Sequence, residues 1–482
     1  MNKIFKNIAL FVGGSLIISS CDTVDFGNTN NNPNEPTAAV TSQLLTGAQI
    51  TVGTMSTDLT GMFYTQQLTD GQYPGESRYA TLTESYNGYY TGPIQSLNEI
   101  IKLNTDEETK GTAAQFGDNE NQIAVAMIIR AHILHFMTDQ WGGLPWEEAF
   151  QGIDNPQPKF NTQQELYEIM FSDINTALGK INTGAGPSGD VIFDGDMARW
   201  TTFANSLKMT MALRMSHIAP ANAKTHFEAA VASGSLIMDN SENIEFSYGV
   251  DPQDRSQWYN RFETREDFIM AATTVEALRA KMDYRLLKYG IDARDSVAAN
   301  PTFPNMEDAG KVGAPHGEVN GNVPDYSFPP AVFIYELDTP TMIYSAAQTQ
   351  FALAEAAMNG WNTGGVTQDA GYANGISASM NYWGVGATER DAYIAANPLT
   401  GINDIAYEKW VALYLQGQEA WSEWRRLDYP VLVPSSNAAD ERIPVRHAYD
   451  ESVENNNKTN YDEIVSKQGQ DDNHTKLWWD VN

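Results

Sequence analysis

Near the end of the chain, Ile405 to Pro430 read I-A-Y-E-K-W-V-A-L-Y-L-Q-G-Q-E-A-W-S-E-W-R-R-L-D-Y-P. The aromatic residues are three, four, seven and three positions apart, which predicts one stripe of a helix: Tyr407, Trp410, Tyr414, Trp421 and Trp424. Such a stripe is more often buried than used for ligand contact, so we expect a core helix. Gly417 lies on the same stripe and would let another helix approach closely. Arg425 and Arg426 complement the carbonyls of the last turn, and Pro430 prevents continuation of the helix.

The composition indicates an acidic globular protein. Its 482 residues are enough for one large domain or two to three ordinary ones, and 42% hydrophobic residues exclude wholesale disorder. There are 30 Lys and Arg against 61 Asp and Glu, which gives a net charge of −31. Such a surface repels phosphate backbones and anionic lipid, so we expect no nucleic-acid partner. It suits neutral or cationic ligands.

The first residues predict export and lipidation. A basic start precedes a short apolar run from Ile8 to Ile18, which is too short for a membrane span and is typical of a secretory signal. The run ends in I-S-S-C at Cys21, which is similar to the lipobox of bacterial lipoproteins, where the thiol is acylated. We predict a signal peptide at residues 1–20, an acylated flexible tether at 21–40 and a lipid anchor on Cys21. An ordinary signal peptide that ends near a cysteine is the alternative.

Helical patterns follow one another from Thr41 onward. A long apolar helix is predicted from Asp118 to Gln140, and Thr162 with Glu165 would form a capping box before another helix. Further helices are predicted at 94–103, 197–217, 221–233, 273–288, 341–358 and around 375–382. Two segments, about 244–262 and 292–330, are rich in loops. We therefore expect residues 41–482 to form a single, mostly α domain, either a solenoid or a layered helical domain.

No motif of catalysis or cofactor binding stands out in the sequence. His132 and His135 lie one turn apart but lack the glutamate of H-E-x-x-H, so core histidines are favoured over a metal site. The aspartates between Gly189 and Asp196 lack the EF-hand register, and a turn that caps the next helix is favoured over calcium binding. We expect no catalysis, no cofactor and no metal. A secreted glycan-active hydrolase with an unrecognised carboxylate pair is the alternative.

Several blocks of sequence, in order from Cys21 onward, resemble the landmarks of one family. They are N-N-N-P-N-E-P-T (Asn30–Thr37), L-L-T-G-A-Q (Leu44–Gln49), T-D-Q-W-G-G-L-P-W (Thr138–Trp146), G-D-V-I-F-D-G-D-M-A-R-W-T-T-F-A-N-S-L-K (Gly189–Lys208), G-Q-E-A-W-S-E-W-R-R-L-D-Y-P (Gly417–Pro430) and L-W-W-D (Leu477–Asp480). On these blocks the chain resembles the SusD/RagB family of nutrient-binding outer-membrane lipoproteins from Bacteroidetes.

The resemblance implies a fold, a location and partners. The fold would be mostly α, with tetratricopeptide-like helix pairs and a packed loop-rich region. The protein would be held on the outer membrane by the lipid on Cys21, as the lid of a SusC-like TonB-dependent transporter. Its ligand would be an oligosaccharide or, as in some relatives, a peptide. A surface adhesin or scaffold is a further alternative.

Binding sites in this family are formed by aromatic and polar side chains in loops, and no motif marks them. Sugar rings stack on exposed aromatic faces, while amides, acids and arginines bind the hydroxyl groups. From their positions in loop-rich segments we select these candidates for ligand binding: Tyr73, Arg78, Tyr79, Trp258, Tyr259, Asn260, Arg261 and Tyr326. Large aromatics usually pack in cores, so each candidate also has a structural interpretation.

Overall fold

Helices make up most of this fold, as the sequence predicts. The computed structural model describes residues 39–81, 83–293, 310–435, 437–438 and 440–481. Thr41–Asn482 form one compact unit. The predicted signal peptide, the lipidation site Cys21 and all of the predicted tether except residues 39 and 40 lie outside the described residues.

The helices lie along the whole described chain. Those of the first half are α1 (Thr41–Met55), α2 (Leu59–Tyr64), α3 (Asn87–Tyr89), α4 (Gln95–Thr105), α5 (Lys110–Ala113), α6 (Asn119–Trp141), α7 (Gln163–Lys180), α8 (Met197–Arg214) and α9 (Pro220–Ala232). Those of the second half are α10 (Gln257–Phe262), α11 (Ala272–Ala280), α12 (Leu286–Tyr289), α13 (Ala331–Tyr335), α14 (Ala346–Met358), α15 (Gln368–Tyr382), α16 (Ala387–Ala396), α17 (Ile402–Ala412), α18 (Gly417–Leu427), α19 (Glu451–Asn456) and α20 (Lys458–Gln468). None of these described helices is both long and apolar enough to cross a bilayer.

Short strands pair two by two and connect segments that are distant in sequence. They are β1 (Leu68–Asp70), β2 (Thr83–Glu84), β3 (Leu144–Pro145), β4 (Phe160–Asn161), β5 (Ile244–Phe246), β6 (Phe268–Met270), β7 (Thr341–Tyr344) and β8 (Ala448–Tyr449). The β1–β6, β3–β4 and β5–β7 pairs are antiparallel, and β2–β8 is parallel. The β1–β6 pair brings two loop-rich parts of the chain together, with Asp70 opposite Phe268.

Consecutive helices pack as pairs around a large core. α6 packs on α7, α8 on α9, and α14 on α15. From Asn121 to Trp141, every residue of α6 except Arg130 and His132 is buried, which identifies α6 as a central helix. Thr162 and Glu165 form the predicted capping box at the start of α7.

The segment from Ile405 to Pro430 forms two helices, so the prediction of one helix is wrong. α17 ends at Ala412 and α18 begins at Gly417. Between them, Leu415 has a φ of 66°, and this left-handed residue turns the chain. Trp424 is half-buried, and the predicted core role is confirmed for the other four aromatics of the stripe: Tyr407, Trp410, Tyr414 and Trp421.

Gly417 lets α18 cross α2 with the two backbones in contact, as predicted. A Cβ atom on Gly417 would lie 2.3 Å from the carbonyl oxygen of Asp58. A Cβ atom on Gly61 of α2 would lie 2.1 Å from the carbonyl oxygen of Gly417. Real Cβ atoms do not approach other atoms so closely, so only glycine fits at either position without a shift of the backbone.

Arg425 and Arg426, at the end of α18, are both buried, and Arg426 belongs to a network of charges. Arg425 donates to backbone carbonyl oxygens at 2.7, 2.9 and 3.1 Å, one of them in its own helix. Arg426 lies 2.5 Å from Glu355 and 2.7 Å from Glu423, and Lys409 lies 2.7 and 2.8 Å from the same two carboxylates. Burial by itself raises the pKa of Glu355, but Arg426 and Lys409 outweigh it and hold that pKa below its usual value. The network joins α14, α17 and α18.

Two other predicted helices are divided in the structure. In 273–288 the chain leaves the helix after Ala280, and Met282, with a φ of 54°, separates α11 from α12. In 341–358 the first residues form β7, which pairs with β5, and Ser345 then caps α14. Pairing with a distant strand decides the conformation of this segment, which a local pattern does not reveal.

Candidate ligand-binding site

Loops from three distant parts of the chain meet beside the β1–β6 pair. The N–H of Gly71 donates to the carbonyl oxygen of Asp267 at 2.7 Å, and the N–H of Asn320 donates to that of Gly71 at 3.0 Å. Arg78 adds a third connection, because its Nε donates to the carbonyl oxygen of Gly317 at 2.6 Å. These bonds hold the three loops in one surface.

The loops line an open cleft of about 890 Å³. Its lining residues are Gln72, Tyr73, Phe262, Glu263, Thr264, Arg265, Glu266, Asp267, Gly321 and Val323. We call it the Tyr73 cleft, because the side chain of Tyr73 is 64% exposed there. A concave surface with an exposed ring and several polar groups is suited to binding a sugar by stacking and hydrogen bonds.

Arg265 lies over the ring of Tyr73 and pairs with Asp267. The guanidinium carbon of Arg265 lies 5.3 Å from the centre of the ring. The same guanidinium binds Asp267 twice, from Nε to Oδ2 at 2.9 Å and from Nη2 to Oδ1 at 3.1 Å. Asp267 therefore pairs with Arg265 beside the Tyr73 ring, and the two arginine N–H groups that it binds are occupied.

A second arginine repeats this arrangement at the edge of the cleft. The guanidinium carbon of Arg255 lies 5.4 Å from the ring centre of Tyr259, and its Nη1 lies 2.9 Å from Glu263, which lines the cleft. Tyr259 is half-buried. Two of the selected aromatics, Tyr73 and Tyr259, thus each pack against an arginine that a carboxylate holds.

Tyr79 and Trp258 are core residues in this structure. Tyr79 is 2% exposed and packs against Tyr64 at 5.6 Å between ring centres. Trp258 is 1% exposed, and the guanidinium carbon of Arg261 lies 5.1 Å from its ring centre. Neither residue lines the Tyr73 cleft, and a part for either in ligand binding stays a prediction.

The other selected residues lie outside the lining of the Tyr73 cleft. Arg78 is half-buried and anchors the loop at Gly317. Burial lowers the pKa of Arg261 to about 10. Asn260 is exposed on α10, and Tyr326 is half-buried, with its N–H bonded to the turn that precedes it. The structure does not bring these residues together with Tyr73, and their part in binding stays a prediction.

Most of the cleft was not predicted from the sequence. The candidates included Tyr73 but not the charged run E-T-R-E-D at 263–267, which supplies half of the lining. That run, between Phe262 and Phe268, is the one local signal of this part of the site. Its proximity to Tyr73 depends on the β1–β6 pair, which the local pattern does not reveal.

The motifs considered for metals have structural roles here. Burial lowers the pKa of His132 to about 3 and that of His135 to about 4, so both are neutral. The predicted core position is confirmed for His135, whereas His132 is half-buried. Asp190 accepts from Gln49 and Trp200 at 2.7 Å, and Asp196 caps α8 as predicted. Among the described residues, no group of three or more His, Cys, Asp or Glu is arranged to hold a metal ion.

Comparison with known proteins identifies the family. Residues 33–450 match the SusD-like family described as "Starch-binding associating with outer membrane". A solved chitin-binding protein has a TM-score of 0.77 at 24% identity, with 92% of this chain and 100% of that one covered. A SusD homologue from Bacteroides fragilis has a TM-score of 0.78 at 22% identity, with 92% and 100% covered. A chitin-binding SusD homologue from Flavobacterium johnsoniae has a TM-score of 0.74 at 22% identity, with 92% of this chain and 99% of that one covered.

No curated protein matches the sequence. At these identities the solved structures establish a shared fold, and the family match extends over most of the chain. The chain belongs to the SusD-like family.

Proposed function

We propose that this protein is a lipoprotein of the outer-membrane surface that binds a nutrient oligosaccharide in the Tyr73 cleft and delivers it to a SusC-like TonB-dependent transporter. One observation carries the proposal: an exposed tyrosine ring lies in an open cleft of about 890 Å³ among polar side chains. Stacking on the ring supplies affinity, and hydrogen bonds to hydroxyl groups supply orientation.

An oligosaccharide is favoured over a peptide. The names of two solved proteins with the same fold state that they bind chitin, which is a glycan. In this chain, Gln72, Thr264 and Arg265 line the cleft and supply amide, hydroxyl and guanidinium groups for sugar hydroxyls. A peptide is the second ligand class in the binding panel below.

Anchoring through Cys21 would keep the binding domain near the transporter. A tether over residues 21–40 spans at most roughly 70 Å when it is fully extended. An acylated protein with this tether reaches ligands outside the membrane and stays within reach of a barrel in the same membrane.

The cleft supports binding rather than catalysis. Two of its carboxylates are held by arginines, Asp267 by Arg265 at 2.9 Å and Glu263 by Arg255 at 2.9 Å. These pairs order the aromatic rings, which is a task in ligand binding. Glycan turnover by the purified protein would instead support the hydrolase interpretation.

The test is the replacement of Tyr73 by alanine, with binding measured by calorimetry on a panel of oligosaccharides and peptides. We expect Tyr73→Ala to weaken binding of the ligand about tenfold or more, equal to about 1.4 kcal/mol. Because Tyr73 is 64% exposed, the free energy of unfolding should change by less than about 0.5 kcal/mol.

Tyr335 provides the matched control. It is 47% exposed on α13 and does not line the cleft. Tyr335→Ala should leave the affinity unchanged. Equal affinities of the parent protein and Tyr73→Ala would remove the cleft as the binding site.

A further inference from the structure

The Tyr73 cleft carries more negative than positive side chains. Among the described residues of the lining, Glu263, Glu266 and Asp267 are acidic and Arg265 is the one arginine. The whole chain has a net charge of −31, so the electrostatic field of the whole protein also repels anions.

Arg265 is already engaged by a carboxylate. Asp267 binds Arg265 through both of its oxygens, at 2.9 and 3.1 Å, and the guanidinium also covers part of the Tyr73 ring. An anionic sugar would have to compete with Asp267 for this cation. A neutral sugar has no such requirement, since its hydroxyl groups can accept from the N–H groups that Asp267 does not bind.

The neighbouring arginine is engaged in the same way. Arg255 binds Glu263 at 2.9 Å, so the pair contributes no net positive charge at the edge of the cleft. A carboxylate or sulfate on the ligand would therefore find both of these arginines already paired with a carboxylate.

We propose that the Tyr73 cleft selects uncharged glycans and rejects those that carry uronate, carboxymethyl or sulfate groups. This inference rests on the proposed function, because it assigns a substrate class to the same site. The pairing of Arg265 with Asp267 is the feature that produces the selectivity.

The experiment compares neutral and anionic forms of the same polymer by affinity electrophoresis at low ionic strength. The probe pairs are hydroxyethylcellulose with carboxymethylcellulose, pullulan with carboxymethyl-pullulan, and glycol chitin with carboxymethyl-chitin. We expect the protein to bind at least one neutral polymer, and to bind its anionic form at least about fivefold more weakly. Raising the salt from roughly 10 mM to roughly 500 mM should narrow the difference, because exposed charges are then screened within a few ångströms.

Two variants separate a local effect from the effect of net charge. Asp267→Asn frees Arg265 and should lower the ratio of the affinity for the neutral polymer to that for the anionic polymer about threefold. Asp391→Asn removes the same charge at a side chain that is 67% exposed and does not line the cleft, and it should leave the ratio unchanged. Unfolding curves of both variants confirm that they remain folded.

The outcomes distinguish the two proposals. Equal or stronger binding of the anionic form, or an equal effect of Asp391→Asn and Asp267→Asn, overturns the charge selectivity but leaves glycan binding intact. Absence of binding to every member of the three pairs, together with absence of binding in the oligosaccharide panel, overturns glycan binding itself.

Discussion

Replacing Gly417 by alanine tests the close crossing of α18 and α2. The added Cβ would lie 2.3 Å from the carbonyl oxygen of Asp58 and 2.7 Å from the backbone nitrogen of Met62, whereas ordinary contacts begin at 3.4 Å. Both obstacles are backbone atoms, so no side-chain rotation relieves the overlap, and the helices must move apart. Overpacking of this kind costs about 1–3 kcal/mol, and we expect Gly417→Ala to lower the free energy of unfolding by at least the upper value.

Gly47 is the matched control, because it lies inside α1, is exposed, and would place an added methyl group with no other atom within 4 Å. Gly47→Ala should raise the free energy of unfolding by up to about 1 kcal/mol, as expected for a glycine in an open helix. Urea unfolding followed by circular dichroism measures both variants. A Gly417→Ala protein as stable as the parent would refute the argument that the backbone contact excludes a side chain.

Two further predictions concern buried titratable side chains. Glu355→Gln leaves Arg426 and Lys409 without a full counter-charge, so the free energy of unfolding should fall by about 3–5 kcal/mol. The control is Glu276→Gln, at a 64% exposed carboxylate, which should change the free energy of unfolding by less than about 1 kcal/mol. Equal effects in urea unfolding would contradict this difference. Burial lowers the pKa of four histidines to about 3 or 4: His132, His135, His316 and His447. Between pH 6.5 and 4, these histidines therefore bind protons in the unfolded chain but not in the folded chain. Each should therefore lower stability by about 1.4 kcal/mol per pH unit on acidification, while two carboxyls with a pKa raised to about 6, those of Asp70 and Glu419, act in the opposite direction. The slope of unfolding free energy against pH should be smaller by about 1.4 kcal/mol per pH unit in His447→Phe than in the parent, because one histidine fewer takes up a proton on unfolding. Equal slopes for the two proteins would contradict the assignment.

The parts of the fold that depend on local rules could be predicted from the sequence. The mostly helical class, the capping box at Thr162 and the close approach at Gly417 all follow from short patterns, and the structure confirms them. The break at Leu415 does not follow, because a left-handed leucine has no marker in an otherwise continuous helical pattern. The same holds for the break at Met282.

The binding site was less accessible to local reasoning. Tyr79 lies in a polar loop yet is buried, because Tyr64 and His316 from other segments pack against it. Arg265 becomes part of the site only because the β1–β6 pair brings it to Tyr73. Contacts between segments far apart in sequence thus determine both the core and the cleft.

The most direct test of the proposed role is purification of the acylated protein from native outer membranes, followed by mass spectrometry of the proteins that accompany it. The lid of a SusC-like transporter should bring down one TonB-dependent barrel in an amount close to its own. A protein that is extracted alone, under detergent conditions that preserve other outer-membrane complexes, would contradict the proposed delivery to a transporter.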